Sequence, residues 1–445
     1  MTPKTTKIRT FTTVKTAHGG KNICERLQNV LPLHLLRVET TTGSHLNRNN
    51  MRVLIVNKFY YNRGGDCIHA MGLDRLLQAA GCETAVFSMQ YEGNAPSPYS
   101  RFFAPEVSFD GGLANKLKAM SRILGGAGVR KAFNAIVDDF RPDIVHFNNI
   151  HSYLSPAIVE MAKRRGLKTV WTLHDYKLLC PAYSCLNADG ICERCISESK
   201  RNVVTHRCMK GSLASSIAGW IEAEYWNRRR LEAATDAFIA PSRFMAQKMT
   251  EGGFNADKLH TLCNFVNPDF ISNLVAETDR RPYCVYVGRL SHEKGVATLI
   301  DAISSLPYAL KLIGTGPLEN ELREKAQGKN IEFLGSLPPE EVRRHVAKAR
   351  LLILPSEWYE NNPLSIIEAL CLGTPVVAAR IGGIPELVRP SNGVLFRSGD
   401  TESLRNSIRN AWDLDFDYSN ISAKAINEFN IDRYRNSLLN IYNNL

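Results

Sequence analysis

The chain alternates short, β-branched apolar runs with longer segments of helical period, and this alternation occurs in two separate series. The first series is RVLIVNKF, ETAVFSM, DIVHFNN and KTVWTLHD, and the second is YCVYVGRL, ALKLIGTG, IEFLG, RLLILPS and TPVVAAR. A strand, helix, strand order is typical of parallel sheets covered by helices. Because one hydrophobic core rarely serves 445 residues, we expect an α/β protein with two doubly wound domains that face each other across a cleft.

This pattern divides the chain into four regions. We expect residues 1–50 to be a basic, Thr-rich extension without ordered structure, 51–270 the N-terminal domain with a Cys-rich insert at 176–212, 271–425 the C-terminal domain, and 426–445 a helix that packs back on the lobes. The helix is predicted because Tyr434, Leu438 and Tyr442 recur at i, i+4 and i+8. Met51 opens the first strong strand, so we expect it to be the functional start.

Composition narrows the classes of function. The formal net charge is +11, of which residues 1–50 supply +6, so +5 remains for the rest of the chain. This excess suits an anionic ligand or an anionic membrane surface, and no dense basic helix or zinc finger indicates nucleic-acid binding. No apolar run reaches the roughly 18 residues of a membrane-spanning helix. Eleven cysteines scattered through apolar strands are typical of reduced thiols, which indicates the cytoplasm.

In open α/β sheets, ligands bind at the loops that follow the carboxyl ends of the strands. After the first strand, Gly64 and Gly65 allow a tight turn before a helix whose amino end favours negative charge. The full Gly-x-Gly-x-x-Gly spacing is absent, and paired glycines in a turn are often only structural. Both the binding and the structural interpretation therefore stay open.

The second series carries a basic loop. In VGRLSHEKG, Arg289 and Lys294 lie beside a turn closed by Gly295. A planar guanidinium and a point-like ammonium together suit a diphosphate whose negative charge grows as it leaves. The alternative is a solvated pair of surface cations.

An acidic loop follows later, in LLILPSEWYENNPLSIIEALCLGTPVV. Glu360 lies in the loop before a helix, and Glu368 lies about a turn and a half inside that helix. Their carboxylates can accept hydrogen bonds from sugar or ribose hydroxyls, and the backbone around Asn362, Pro363 and Leu364 can bind phosphate oxygens. The alternative is a solvated Glu and a Glu that interacts only with the helix dipole.

The ordered set of RGG after the first strand, GR with a Lys five residues on, and E-x7-E leading into EALCLGTPVVA resembles the retaining glycosyltransferases of family 4. Those enzymes have the GT-B fold of two Rossmann-like domains. GTGPLENELRE, GGIPELV and NGVLF are also similar to that family, and the resemblance covers about residues 51–445.

This resemblance implies roles for the residues of both loops. The donor diphosphate is assigned to Arg289 and Lys294, the ribose to Glu368, the donor sugar to Glu360, and the far side of the phosphates to Gly64 and Gly65. Relatives often have Gly-Phe-Gly after the first acid, where this chain has Asn361, Asn362 and Pro363. The resemblance therefore implies a nucleotide-diphosphate sugar as donor and leaves the sugar itself open.

Similar enzymes often carry an imidazole that contacts the donor sugar. DIVHFNNIHSYLSP places His146 and His151 near the end of a strand, with Asn148 where relatives often have a second histidine, and His174 and Asp175 follow the next strand. The resemblance therefore assigns the sugar contact to His151, with His146 in reserve. It also implies front-face transfer, in which the leaving phosphate accepts the acceptor proton, so that no strong protein base and no cofactor is required. The alternative for each histidine is a structural role.

Five cysteines gather in the insert, at Cys180, Cys185, Cys192, Cys195 and Cys208. Cys192 and Cys195 have the spacing of zinc ligands. Relatives with the HDYKLLCP signature tend to have such a cluster, although Val203 stands where one more Cys is expected. A structural zinc with ligands among Cys180, Cys192, Cys195 and Cys208 is one hypothesis, and reduced free thiols are the other.

An apolar helical stripe with basic neighbours precedes the first His motif. It consists of Leu113, Leu117, Met120 and Leu124, with Lys116, Lys118 and Arg122 around it. One interpretation is a core-facing helix with a solvated rim. The other is docking to an anionic membrane beside a lipid-linked acceptor.

With the resemblance, these motifs predict a retaining glycosyltransferase of hexosyltransferase type. It would move a sugar to a glycan or lipid-linked glycan in cell-surface polysaccharide synthesis, in the cytoplasm or at the inner face of the cell membrane. Two alternatives stay open: another nucleotide-sugar reaction on the same scaffold, such as epimerisation, and a non-catalytic sugar-binding scaffold. The complete set of Arg289, Lys294, Glu360 and Glu368 argues against the scaffold.

Overall fold

The computed structural model describes residues 51–61, 63–107, 119–266 and 280–445. The extension at 1–50, the domain boundary expected at 270, and Leu113 and Leu117 of the apolar stripe lie outside this part of the chain. Its strands form two six-stranded sheets and one two-stranded hairpin. The prediction of two Rossmann-like, doubly wound α/β lobes is confirmed.

The N-terminal sheet is parallel throughout. It contains β1 (Arg52–Val56), β2 (Glu83–Phe87), β3 (Ile144–Phe147), β4 (Lys168–Thr172), β7 (Ala237–Ala240) and β8 (Leu259–Thr261), in the order β2-β1-β3-β4-β7-β8. The helices of this lobe include α1 (Gly65–Ala79), α2 (Ala127–Phe140), α3 (Ala157–Arg164), α7 (Arg228–Ala234) and α8 (Arg243–Glu251). All residues of β3 and β7 are buried because both faces are covered, which explains the continuous apolar runs in the sequence.

The Cys-rich insert follows β4 and contains little regular structure. Its elements are a hairpin of β5 (Leu186–Asn187) and β6 (Gly190–Ile191) and two one-turn helices, α4 (Arg194–Ser197) and α5 (Asn202–Thr205), followed by the longer α6 (Leu213–Tyr225). Cys185, Cys195 and Val203 are buried in the same apolar cluster as the core of the N-terminal lobe. The insert is therefore an extension of that core.

The C-terminal sheet is also parallel throughout. It contains β9 (Arg281–Val287), β10 (Ala309–Ile313), β11 (Ile331–Gly335), β12 (Ala349–Leu354), β13 (Val376–Ala379) and β14 (Gly393–Phe396), in the order β11-β10-β9-β12-β13-β14. Its helices are α9 (Val296–Ile303), α10 (Glu319–Lys325), α11 (Pro339–Lys348), α12 (Leu364–Cys371), α13 (Ile384–Leu387), α14 (Thr401–Asp413) and α15 (Tyr418–Glu428).

Each sheet reverses its strand order at one point, between β1 and β3 in the first lobe and between β9 and β12 in the second. A crevice opens at such a point, outside the carboxyl ends of the strands. The crevices are bordered by the loops at 57–64, 148–156, 288–295 and 355–363. The donor-binding residues predicted from the sequence lie in these loops or in the helices that directly follow them.

The last helix, α16 (Ile431–Asn443), packs against the N-terminal lobe. Tyr434, Leu438 and Tyr442 lie on its buried face, in one apolar cluster with strand β1. The hydroxyl of Tyr442 lies 2.5 Å from Nδ1 of His146 in the core. The C-terminal end of the chain therefore completes the core of the first lobe.

We predict that Leu438→Ala lowers the free energy of unfolding by about 2–5 kcal/mol, because it removes a fully buried side chain and leaves a cavity beneath α16. Denaturant titration of the full chain measures this change. The control is Asn436→Ala on the exposed face of α16, which should change the free energy of unfolding by less than about 0.5 kcal/mol. Equal effects of the two substitutions would contradict the packing of α16 on the lobe.

Candidate active site

The basic loop and the acidic loop meet at the crevice of the second sheet. Lys294 ends a one-turn 3₁₀ helix (His292–Lys294) after β9, and its Nζ lies 2.6 Å from Oε1 of Glu360 in the loop after β12. Gly295 follows with a φ of 65°, and a Cβ there would lie 2.1 Å from the carbonyl oxygen of Pro355. Glycine at this position therefore allows the two loops to approach closely enough for the ion pair to form.

Glu360 is 7% exposed, and it accepts a second hydrogen bond from Oγ of Ser356 at 2.6 Å. Burial alone would raise the pKa of its carboxyl, but the Lys294 ammonium and these hydrogen bonds hold the pKa below its ordinary value. The Lys294 ammonium also lies over the ring of Trp358, 4.7 Å from its centroid. The ion pair is therefore charged at neutral pH and held in one geometry.

Glu368 has a different environment. It lies on the second turn of α12, partly buried, and burial raises the pKa of its carboxyl to about 7 against the opposing charge of Arg343. The carboxyl of Glu368 is therefore partly protonated near neutral pH. Hydroxyl groups that donate hydrogen bonds to it would favour the ionised form.

Arg289 and the start of α12 complete the C-terminal side of the cleft. Arg289 is exposed, and its backbone is fixed by the hydroxyl of Tyr286, which donates to the Arg289 carbonyl at 2.8 Å. Pro363 precedes the first residue of α12 and has no N–H, so Asn362 and Leu364 supply the amides among the three predicted positions. These amides lie at the positive end of the helix dipole.

Asn361 and Asn362 bind the other lobe. Nδ2 of Asn361 donates to the carbonyl of Leu173 at 2.7 Å, and Oγ of Ser242 donates to Oδ1 of Asn361 at 2.8 Å. Asn264 donates to Oδ1 of Asn362 through its backbone N–H at 3.0 Å and to the Asn362 carbonyl through Nδ2 at 2.9 Å. The residues that stand in place of Gly-Phe-Gly therefore join the two lobes beside Glu360.

The GGIPELV motif supports the acidic loop from behind, a function that the sequence alone does not reveal. The N–H of Gly383 donates to the Glu360 carbonyl at 2.7 Å, and a Cβ on Gly383 would lie 1.9 Å from the carbonyl oxygen of Asn361. Glu386 of the same motif accepts hydrogen bonds from the backbone N–H groups of Arg243 and Phe244 at 3.0 and 2.8 Å. Glu386 thus caps α8 of the other lobe.

The paired glycines of the first lobe face the C-terminal lobe. Gly65 begins α1, and Cδ1 of Leu364 lies 4.0 Å from the position that a Cβ on Gly65 would take. Gly64 has an extended backbone with a φ of −167°. The structure therefore brings Gly65 and the start of α12 to the same part of the cleft.

A polar cluster at the carboxyl end of the first sheet was not predicted as a unit. Nδ2 of Asn149 donates to Oδ2 of Asp66 at 3.1 Å, and Nζ of Lys58 lies 3.7 Å from the same oxygen.

Nε2 of His174 lies 2.9 Å from Oδ1 of Asn148, and burial lowers the pKa of the His174 imidazole to about 4. His174 follows Leu173, whose carbonyl binds the acidic loop. In the sequence, the feature that could have indicated this cluster is the pair of His174 and Asp175 directly after β4.

The two histidines predicted as sugar contacts, His146 and His151, pack against other side chains of the N-terminal lobe and of α16. His146 is fully buried, with Nδ1 bonded to Tyr442 and Nε2 lying 2.7 Å from Oγ1 of Thr172. Both ring nitrogens of His146 therefore have partners within the core, and its reserve role as a sugar contact stays a prediction. His151 stacks on Trp171 with ring centroids 5.3 Å apart, and its buried Nδ1 has no hydrogen-bond partner in the described chain.

Burial also determines the charge of these rings. It lowers the pKa of His146 to about 3 and that of His151 to about 4. Both imidazoles are therefore neutral at physiological pH, as is that of His174. None of them provides a cation to the cleft.

The cysteines of the insert are free thiols. The neighbouring thiols of Cys185 and Cys195 lower the pKa of the Cys180 thiol. Nζ of Lys200 donates to the Cys195 carbonyl at 2.7 Å and so places a cation beside these sulfurs. Among the described residues, no group of three or more His, Cys, Asp or Glu side chains is arranged to hold a metal ion. The structural zinc stays a hypothesis.

Comparisons with known proteins agree with this architecture. The sequence profile of glycosyltransferase family 4 matches residues 64–270, and that of the group 1 glycosyl transferases matches residues 281–413. Among solved structures, the HepE protein of Anabaena in complex with UDP and glucose is similar with a TM-score of 0.60 at 18% identity, over 89% of this chain and 100% of that one. Sucrose-phosphate synthase of Thermosynechococcus elongatus is similar with a TM-score of 0.65 at 19% identity, over 88% and 98%.

Curated relatives match over different lengths. A 42.6 kDa protein from the cps region of Klebsiella pneumoniae is 26% identical, over 78% of this chain and 90% of its own length. The amylovoran biosynthesis glycosyltransferase AmsK of Erwinia amylovora is 28% identical, over 39% of this chain and 47% of its own length. With both profiles matched in order, one on each lobe, the chain is a GT-B glycosyltransferase and belongs to the group 1 glycosyltransferases of family 4.

Proposed function

We propose that this enzyme transfers a sugar from a nucleoside-diphosphate sugar to a glycan or lipid-linked glycan, with retention of anomeric configuration, in the synthesis of a cell-surface polysaccharide. The observation that carries the proposal is the Lys294–Glu360 ion pair at the crevice of the second sheet, beside the start of α12. The donor class is supported by the similarity in fold to HepE, whose structure contains UDP and glucose. The pathway is supported by the sequence similarity to AmsK, a glycosyltransferase of amylovoran biosynthesis.

The donor diphosphate would bind between Lys294, Arg289 and the amino end of α12. Lys294 is already oriented by Glu360, so a phosphate oxygen can take a second hydrogen bond from the same ammonium without a large movement. Arg289 is exposed and free to bend toward the second phosphate. Gly65, opposite Leu364, leaves room for the phosphates on the other side of the cleft.

The two carboxylates would bind different ends of the donor. Glu360 is ionised and can accept hydrogen bonds from sugar hydroxyls while it stays paired with Lys294. Glu368, on the second turn of α12, would accept hydrogen bonds from the ribose hydroxyls. Ligand binding there would convert a partly protonated carboxyl into a carboxylate.

Retention requires no strong protein base if the leaving phosphate accepts the proton of the incoming hydroxyl. The neutral histidines fit this mechanism, because they can orient hydroxyl groups without taking a proton. We propose His174 as the imidazole that contacts the donor sugar, since the neighbouring Leu173 carbonyl binds Asn361 beside Glu360. His151 remains the second candidate because its Nδ1 lacks a partner in the described chain.

Epimerisation of a nucleotide sugar on the same scaffold is the alternative reaction. Release of nucleoside diphosphate that depends on an added glycan or lipid-linked acceptor distinguishes the two reactions, because an epimerase returns its nucleotide still attached to a sugar. Acceptor-dependent release supports transfer. A changed nucleotide sugar without release would replace the proposal.

We predict that Lys294→Ala weakens nucleoside-diphosphate binding by about 10- to 100-fold, because it removes a charge-assisted hydrogen bond to phosphate. Calorimetric titration measures this, with the nucleoside diphosphate that most raises the unfolding temperature. Arg397→Ala is the control, since Arg397 is an exposed cation of the same lobe that pairs with Asp400. Its affinity should stay within about twofold of the parent. Unchanged affinity in Lys294→Ala would remove Lys294 from the donor site.

We predict that Glu360→Gln lowers kcat by roughly 10- to 1000-fold while nucleoside-diphosphate affinity stays within about threefold, because the carboxylate acts on the sugar and not on the nucleotide. The matched control is Glu357→Gln in the same loop, where Glu357 accepts a hydrogen bond from Thr298 outside the ion pair. Equal kcat values for the two variants would contradict the assignment of Glu360.

We predict that nucleoside-diphosphate affinity rises by roughly five- to tenfold between pH 6 and pH 7.5 through ionisation of Glu368. The pKa of about 7 in the free protein means that protons compete with ribose hydroxyls below this pH. Glu368→Gln removes this component, so the difference between its pH profile and that of the parent isolates the carboxyl from the titrating phosphate. Parallel profiles in the two proteins would show that Glu368 does not bind the ribose.

A further inference from the structure

Helix α6 exposes its apolar side chains. Leu213, Ile217, Ile221 and Tyr225 recur every four residues and are 47%, 38%, 37% and 41% exposed. They are four of the nine large apolar side chains that are exposed in the described part of the chain. With a rise of about 1.5 Å per residue, they form a stripe about 18 Å long. Exposed apolar surface of this continuity indicates a contact with another phase or molecule.

The buried face of α6 is polar, and this fixes the orientation of the helix. Ser216, Gly219 and Glu222 are turned toward the lobe, and the Glu222 carboxylate lies 2.9 Å from Nζ of Lys177 while both side chains are nearly inaccessible to solvent. A Cβ on Gly219 would lie 2.2 Å from the sulfur of Met209. Rotation of α6 to bury the apolar stripe would break the buried ion pair and leave its charges unpaired.

Basic residues are concentrated in the segment of the chain that contains the stripe. Residues 199–230 contain seven Lys or Arg against two Glu, of which one is the buried Glu222. The cations of this segment that are exposed are Arg201, Arg207, Lys210 and Arg229. The guanidinium of Arg201 lies 5.5 Å from the ring centroid of Trp220 on α6 itself. An apolar helical face with a cationic rim is typical of helices that lie in a membrane interface.

We propose that α6 docks this enzyme on an anionic lipid surface. The stripe would lie at the boundary between headgroups and acyl chains, with the basic side chains at the lipid phosphates. No described helix is long and apolar enough to cross a membrane, whereas α6 needs only to lie on one. A second copy of this chain fits the surface less well, because two cationic rims would repel each other. The proposal is independent of the donor chemistry.

The test is flotation of the full chain with phosphatidylcholine vesicles, with and without phosphatidylglycerol, at low and moderate salt. We expect binding only to vesicles with phosphatidylglycerol, and at least tenfold weaker binding for Ile217→Glu combined with Ile221→Glu. The matched control is Leu414→Glu, which places the same charge on an exposed apolar position of the other lobe and should bind like the parent. Thermal unfolding confirms that each variant is folded.

Three outcomes would overturn the membrane proposal. They are absence of binding to phosphatidylglycerol vesicles, binding that the α6 double variant retains, and a dimer in solution that the double variant dissociates. Retained binding would assign the membrane contact to another part of the chain. A dissociating dimer would make α6 an interface between two copies.

A second and independent observation concerns Tyr359, which precedes Glu360. The Tyr359 hydroxyl donates to Oε1 of Glu193 at 2.8 Å, and Nζ of Lys248 lies 2.6 Å from the same oxygen. The Tyr359 ring packs against that of Phe244 with centroids 4.8 Å apart. Glu193 belongs to the Cys-rich insert of the first lobe, so the insert reaches the acidic loop of the second.

We infer that Glu193 is a positioning residue that holds the sugar-contacting loop through Tyr359. This inference rests on the proposed function, because it assigns the donor sugar to Glu360. Asn361 binds Leu173 on the other side of Glu360, so the loop is tied to the first lobe both before and after the carboxylate. Loss of either tie would leave the nucleotide site intact and the sugar contact less well oriented.

The test compares Tyr359→Phe and Glu193→Ala, separately and together. We expect each single variant to lower kcat by about three- to tenfold with unchanged nucleoside-diphosphate affinity, and the double variant to be no slower than the singles. Glu193→Gln keeps an acceptor for the tyrosine hydroxyl and should recover most of the rate. Glu251→Gln is the control, because it removes the other partner of Lys248 and leaves the Tyr359 bond in place.

Additive losses, or full activity in Glu193→Ala, would overturn this inference. Failure of the proposed function has a different signature, since Lys294→Ala would then leave nucleoside-diphosphate affinity unchanged. The two failures are therefore distinguishable with the same calorimetric and kinetic measurements.

Discussion

The cleft of this enzyme is built around the ion pair between Lys294 and Glu360. Removal of two charges from water costs several kcal/mol per ion, and apolar residues of similar volume are often at least as stable. The proposed function explains the pair better than stability does, because it assigns the ammonium to a diphosphate and the carboxylate to a sugar. The local sequence serves this geometry, since Gly295 and Gly383 remove the side chains that would separate the loops.

The loop that carries Glu360 is also held by contacts with the first lobe. Glu360 is flanked by Tyr359, which binds Glu193, and by Asn361, which binds Leu173. Glu386 of the supporting motif caps α8 across the cleft. A change in the relative position of the lobes would therefore move Glu360, and under the proposed function this would link closure of the cleft to the orientation of the donor.

The fold was predictable because parallel strands covered on both faces need continuous apolar runs. The positions of the proposed donor loops were predictable because these loops follow such strands. The direction in which a side chain points from a fully buried strand was not predictable from the sequence. His146 and Thr172 bind each other in the core, and nothing in DIVHFNN separates this from a cleft-facing histidine. Helix α6 shows a related limit: Ile217 and Ile221 have the spacing of a core stripe, but the buried pair of Glu222 and Lys177 turns them to solvent.

The most direct test of the central claim is a crystal structure of the full chain with a non-transferable nucleoside-diphosphate sugar. The account predicts a phosphate oxygen within about 3 Å of Nζ of Lys294 and a sugar hydroxyl within about 3 Å of the Glu360 carboxylate. It also predicts the ribose at Glu368. A donor bound elsewhere in the cleft, with the Lys294–Glu360 pair unchanged and in contact with neither phosphate nor sugar, would contradict it.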